Sequence, residues 1–261
     1  MQRNESRHLR PWLTWHAHLF AVENLYVIDQ GSDEPIVKAT LQVFETQGAH
    51  VMRLSADADY RQKGDIVSHV MAQVAAAGLH DFIFPLDCDE FIILRDDNGA
   101  PTCSRDALFA HLEQFMGCEA PLCVSENFLN ALGTTDGFWP LPYQKVFFGR
   151  GFVGAVDHGS HRCISSAAAP VPTRIVYIHL HHRDHDTQVR LARQKLSPFV
   201  NVDDKSSLMA FRGPGWHLVA NLLKTKQEYM QAMTGGSLQF SRFAAALRQL
   251  GVDPGFYAGA E

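Results

Sequence analysis

A chain of 261 residues is long enough for one large α/β domain, or for such a domain with a small appendage. Its hydrophobic content of 46% and charged content of 20% are ordinary for a globular protein, and a net charge of -5 argues against a nucleic-acid surface as its main business. Five cysteines, odd in number and without a C-x-x-C pair, exclude a zinc ribbon or disulfide framework as the expected scaffold and point to a reducing compartment. The polar start from Met1 to Arg7 leads into no apolar segment of signal-peptide kind. No apolar run approaches the ~20 residues that span a bilayer, so a soluble cytoplasmic protein without a transmembrane segment is expected.

In chain order, Leu9 to Phe20 reads as a helix with Trp12, Trp15 and Leu19 on one face. Leu25 to Ile28 reads as a short strand running into the turn-rich Asp29-Gln30-Gly31-Ser32-Asp33. A helix over Ile36 to Gln47 and a strand over His50 to Leu54 follow. Next come a helix over Asp65 to Ala77 that stops at Gly78, and a strand from Phe82 to Leu86. Ser104 is placed to cap a helix reaching Phe115. Pro121 to Glu126, Tyr143 to Phe148 and Arg174 to Leu180 read as strands, and Ala167 to Pro172 as a loop. Helices are expected over Gln188 to Lys195, Trp216 to Met233 and Phe240 to Leu250. Alternating strands and helices imply an α/β fold, a mainly parallel sheet with helices on both faces, followed by a helical C-terminal part.

The most informative stretch runs from Asp81 to Ile93, where an apolar strand ends in Asp87-Cys88-Asp89-Glu90 before apolar residues resume. Carboxylates at the carboxyl end of a strand stand where open α/β sheets bind ligands. On an extended backbone Asp87 and Asp89 would point the same way, and two like charges there call for a cation. A hard divalent cation carrying a diphosphate answers that need. Fourteen histidines, concentrated between His158 and His185, are the second signal.

From residue 3 to about 195 the chain resembles the family-2-like glycosyltransferases of the Rossmann-like GT-A type. The resemblance is to the branch with a Lys-Asn-Glu box, an Asp-x-Asp-Glu-Phe box and a late His box. Arg3-Asn4-Glu5 stands in the place of the first box and Phe84 to Phe91 in that of the second. Lys145-Val146-Phe147, Gly159-Ser160-His161-Arg162 and Ile178-His179-Leu180 follow in that branch's order. The resemblance implies a catalytic, nucleotide-sugar-binding domain over 1–195 with a helical extension, 196–261, packed on it. It implies a metal-dependent transferase that moves a sugar from a nucleotide-diphosphate-sugar donor to a glycan or other hydroxyl acceptor.

Residue by residue, the resemblance makes Asp89 a ligand of Mn²⁺ or Mg²⁺, with Asp87 reaching the ribose or a metal-bound water. His179 would complete the metal sphere, and His181, on the same side of an extended strand, is the alternate ligand. Asp29 would bind base or ribose, Asn4 and Glu5 would line the same site, and Glu90 would orient sugar hydroxyls. Lys63, just before a helix, could meet the diphosphate. His182, Arg183 and His185 read as diphosphate contacts or exposed loop residues. An inverting transfer needs a base for the acceptor hydroxyl. Asp157 with His158 is the first candidate, because it falls between the two metal boxes, and Glu126 is the second. Two other readings stand beside this one: a non-catalytic module of the same build that binds a partner or glycan, and a metal-dependent hydrolase.

Overall fold

The computed structural model describes residues 1–55, 60–124, 126–213 and 215–259. Helix α1 (Leu9–Phe20) has the predicted boundaries and buries Leu9, Leu13, Trp15 and Leu19. Helix α2 (Pro35–Thr46), with Pro35 preset for a first helical position, connects two parallel strands, β1 (Tyr26–Gln30) and β2 (His50–Leu54). Helix α3 (Lys63–Ala77) stops at Gly78, which takes the left-handed φ of 66° that ends a helix. Helix α4 (Arg105–Leu112) starts from Ser104, whose side chain accepts the Ala107 N–H at 3.2 Å.

The remaining strands are β3 (Phe82–Ile83), β4 (Glu90–Arg95), β5 (Pro101–Thr102), β6 (Leu122–Val124), β7 (Glu126–Asn130) and β8 (Gly137–Leu141). After them come β9 (Lys145–Gly149), β10 (Val171–Pro172), β11 (Ile175–His179) and β12 (Leu238–Gln239). Ser125, inside a predicted strand, lies outside the described residues. Among the described residues β1 and β2 form one sheet, β10-β6-β9-β3 a second and β12-β8-β7-β11-β4-β5 a third.

This overturns the expected mainly parallel, Rossmann-like GT-A sheet. Of the strand pairings among the described residues, only β1 with β2, β6 with β10 and β7 with β11 are parallel. The pairings β3–β9, β4–β5, β4–β11, β6–β9, β7–β8 and β8–β12 are antiparallel, so the fold is mixed α/β. The reason is local. Parallel neighbours need a long crossover, which α2 supplies for β1 and β2. Beyond Asp87 the chain reverses in a turn instead: Glu90 N–H donates to Asp87 C=O at 3.1 Å. The predicted strand over Phe82 to Leu86 is therefore regular only at Phe82–Ile83, and β4 departs into a different sheet, antiparallel to β11.

The main core packs Phe91, Ile92, Ile93 and Leu94 of β4 and Val176, Tyr177 and Ile178 of β11 against Trp15 of α1 and Leu108 and Leu112 of α4. Phe240, Phe243, Leu247 and Tyr257 from the C-terminal part enter the same core. Helix α5 (His185–Leu196) contributes Ala192 and Leu196 to a smaller cluster with Leu208, Leu218 and Val219. The helix expected over Trp216 to Met233 is broken. Thr225 and Glu228 form a capping box that starts a fresh helix, Lys226–Met233. Among the described residues no helix is long and apolar enough to cross a membrane.

His16 gives this core a pH dependence. It is 1% exposed, its Nδ1–H donates to Trp12 C=O at 2.9 Å, and Ile92 N–H donates to its Nε2 at 3.4 Å. Burial pushes its pKa down to about 3, although the Trp12 contact pulls the other way. The unfolded chain therefore takes up a proton below about 6.5 that the folded chain refuses. Stability from this group is complete above that pH and is lost as pH falls towards 3. Urea unfolding between pH 7 and 4.5 should show stability falling by up to ~1.4 kcal/mol per pH unit for this histidine, a slope that His16→Gln reduces. An unchanged slope in the variant would refute the assignment.

Candidate metal centre

Strand register builds the site. His179, the last residue of β11, lies opposite Glu90, the first of β4, and Leu180 N–H donates to Asp89 C=O at 2.8 Å. Asp89 and His179 are thereby neighbours, with Nε2 of the histidine 3.6 Å from Oδ2 of the aspartate. Alternation continued past the end of β11 sends Leu180 into the core, 0% exposed, and returns His181 to the side of His179. One ligand atom from each of Asp89, His179 and His181 lies within 4.8 Å of the other two. Donors on one cation with bonds of ~2.0–2.2 Å stand roughly 3 to 4.4 Å apart, so small side-chain adjustments close this set around an ion.

The electrostatics suit a cation. Burial alone would raise the Asp89 carboxyl, but His179, Arg183 and His181 hold it well below the usual carboxylate range. Burial lowers His179, and Asp89 more than reverses this, so its pKa is raised. Burial and then the charge of His179 push His181 well down, leaving a neutral imidazole. Two imidazoles and a carboxylate make a donor set for Mn²⁺, Fe²⁺, Co²⁺ or Zn²⁺ more than for Mg²⁺, which favours oxygen alone.

Asp87 does not join them. The 87–90 turn replaces the extended backbone that would have aligned the two aspartates, and Asp87 faces two lysines. Its Oδ1 accepts from Lys63 Nζ at 2.5 Å and its Oδ2 from Lys145 Nζ at 3.2 Å. Glu90, 1% exposed, accepts from Lys145 Nζ at 2.5 Å and from Asp87 N–H at 2.7 Å through the same oxygen. Burial opposes charge on both Asp87 and Lys145. The two lysines nonetheless hold the Asp87 carboxyl down, and Asp87 and Glu90 hold the Lys145 ammonium up. Lys63, read from sequence as a diphosphate contact, is 6% exposed and gives its ammonium to Asp87.

The other candidates fall at varying distances. Glu5 is brought in: its Oε2 accepts from Arg183 Nη2 at 2.9 Å, and that same nitrogen is 3.9 Å from Asp89 Oδ2. Asp29, in β1, and Asn4 meet at the edge of the first sheet, both bonded to Ser32. Asn4 Nδ2 donates to Asp33 at 2.6 Å, while Asp29 accepts from Gln2 Nε2 at 2.7 Å and Ser32 Oγ at 2.5 Å. Asp157 organises its own loop, accepting from His161 N–H at 2.7 Å and Arg162 N–H at 3.3 Å. That loop is pressed on α3 at Gly64, where a Cβ would lie 2.9 Å from Val156 O. Glu126 is not brought to the centre. It pairs with Arg95 at 2.7 Å at the start of β7, three residues along the ladder from the Leu129–His179 pair, or about 10 Å.

Sequence reasoning left three supporting residues without a role in the site. Lys145, though quoted in a motif, gave no sign that it would be buried between two carboxylates. Asn130, 0% exposed, clasps the loop after β11: its Oδ1 accepts His182 N–H at 2.9 Å, and its Nδ2 donates to His182 C=O at 2.9 Å and Tyr257 C=O at 3.1 Å. Tyr229 donates its hydroxyl to Arg183 C=O at 3.0 Å. Contacts that span 52 and 127 residues leave no local pattern to read. No family model matches the chain, and no curated protein matches it.

Proposed function

We propose that the chain is a metal-dependent glycosyltransferase that moves a sugar from a nucleotide-diphosphate-sugar to an acceptor hydroxyl in glycan or polysaccharide synthesis. The observation that carries this reading is the convergence of Asp89, His179 and His181 beside the guanidinium of Arg183. Those three side chains would hold a divalent cation, Mn²⁺ before Mg²⁺ on donor chemistry. When bound, it would supply Lewis-acid stabilisation of charge on the departing diphosphate. Arg183 would add a planar, permanently charged donor suited to phosphate oxygens, and Glu5 fixes its orientation. Asp87, Glu90, Lys63 and Lys145 would act behind this layer, holding the turn that projects Asp89. With five free cysteines, a reducing cytoplasmic compartment suits the reading.

Calorimetry with UDP and GDP, with and without Mn²⁺, tests it. Binding that requires Mn²⁺ and weakens when Mg²⁺ replaces it is expected; no binding of either nucleotide under any condition would end the proposal. The ligand set also favours a second reading. Three protein donors with open positions are what a metal-dependent hydrolase uses to activate water. Metal-dependent cleavage of a simple phosphodiester without nucleotide binding would select it. The non-catalytic reading is disfavoured by the meeting of Asp89 with His179, although Asp87 stays apart.

A further inference from the structure

The metal centre stands at one end of a row of side chains that crosses the third sheet. His179 pairs with Leu129 of β7, and Leu129 pairs in turn with Trp139 of β8. Residues directly opposite in adjacent strands share a face, so His179, Leu129 and Trp139 line one side of the sheet. All three are half-buried. Phe128 and Phe138, which precede Leu129 and Trp139, turn to the other side, are 0% exposed and belong to the main core. One face of the sheet is therefore filled, and the other keeps a partly open strip that leads away from the candidate ligands.

The rings along this strip are close neighbours. The centroids of His179 and His181 are 5.1 Å apart, those of His181 and His182 6.2 Å, and those of His182 and Trp139 5.7 Å. His182 meets the indole edge to face, at 69°. Its Nδ1–H donates to Asn130 C=O at 2.7 Å, which in the neutral ring leaves Nε2 as the acceptor. Direction matters as well. The strand order β8-β7-β11-β4 puts Trp139 and Asp89 on opposite sides of His179. Arg183 lies on the Asp89 side, its Nη2 3.9 Å from Asp89 Oδ2. A diphosphate held by the ion and Arg183 would occupy that side. The indole lies two strand spacings the other way, about 10 Å from His179 along the sheet.

Resting on the transferase reading above, we propose that this strip is the acceptor subsite and that the acceptor is a pyranose of a glycan. Trp139 stacks on the C–H face of that sugar, and His182 Nε2 accepts a hydrogen bond from one of its hydroxyls. A pyranose carries one face of C–H groups with weakly positive hydrogens, the complement of an indole's negative face, and a rim of hydroxyls that need polar partners. A phosphorylated or acidic acceptor would call for cations, and Leu129, Trp139 and a neutral His182 supply none. A nucleobase also stacks on indoles, but the base of the donor would lie beyond its diphosphate, on the Asp89 side.

The test is saturation-transfer NMR on the full chain, with the methyl β-glycosides of glucose, galactose and N-acetylglucosamine as probes. Saturation is expected at the C–H protons of one ring face of at least one of them. Trp139→Ala should weaken that binding by at least about fivefold and Trp139→Phe by less. Trp216→Phe, which alters an exposed indole outside the strip, should leave it unchanged. Mn²⁺ affinity by electron paramagnetic resonance should be the same in all four proteins, as folded variants with an intact centre require. Where Trp139→Ala does not fold, Trp139→Leu keeps the bulk, loses the ring and carries the same expectation. Mn²⁺-dependent nucleotide binding without saturation of any glycoside, or with equal saturation in the parent and Trp139→Ala, would overturn the subsite and leave the transferase reading standing. Glycoside binding that needs Trp139 in a chain that binds no nucleotide would end the transferase reading and, with it, the acceptor role.

Discussion

Asp89→Ala is expected to abolish Mn²⁺-dependent nucleoside-diphosphate binding while leaving the fold in place. Removing an outer-sphere partner costs roughly 10–100-fold in metal affinity, so loss of a direct carboxylate ligand should exceed about 100-fold. The fold survives because Asp89 joins the two strands through its backbone, with Leu180 N–H donating to its C=O at 2.8 Å. His179→Ala and His181→Ala should act in the same direction. Glu126→Gln should not, since its partner is Arg95 at the far end of the sheet. Mn²⁺ affinity measured by electron paramagnetic resonance gives a readout that does not depend on turnover. If Asp89→Ala binds Mn²⁺ as the parent does, the centre is not where the three side chains meet.

Lys145→Met should be the most destabilising single change near the site. The side chain is 2% exposed and its ammonium lies between Asp87 and Glu90, so its loss leaves two carboxylates facing each other, with Lys63 still paired to Asp87. Breaking a buried pair from one side costs about 3–5 kcal/mol, far more than the pair contributes when compared with apolar replacements. Adding Glu90→Gln to Lys145→Met should restore part of the loss, because it removes the charge that the first change stranded. Chemical denaturation of the two variants measures both effects. A cost below about 1 kcal/mol for Lys145→Met would mean that the cluster is hydrated and the turn does not depend on it.

Much of the local structure was legible. Helix α1 and strand β2 fall on their predicted residues, because an apolar face in one and bounded β-formers in the other leave few alternatives. Gly78 and Ser104 end and begin helices for reasons contained in single residues. Sheet direction was not legible. It hinges on the turn at Asp87–Glu90, and a short apolar run on each side of an acidic triplet looks the same whether the chain continues or doubles back. The same turn explains why Asp87, aligned with Asp89 on the expectation of an extended backbone, stands apart, while Asp89 and His179 were paired through the resemblance alone. Period-two alternation carries on past the end of β11, where Leu180 is buried and His181 returns beside His179, and fails across Cys88, where the chain turns back. Asn130 and Lys145 act through partners more than 50 residues away, which no motif spacing encodes.

The Asn130 clasp ties the loop bearing His181, His182 and Arg183 to Tyr257, and Arg7, which donates to Phe256 C=O, also reaches Asp184 at 3.0 Å. The tail of the polypeptide is therefore part of the scaffold that sets how rigidly the imidazoles are held. Trimming residues beyond Val252, or crowding them with an affinity tag, would loosen the loop that carries the two imidazoles before it loosened the sheets, so weak Mn²⁺ binding in a preparation is to be checked first against changes at that distant segment.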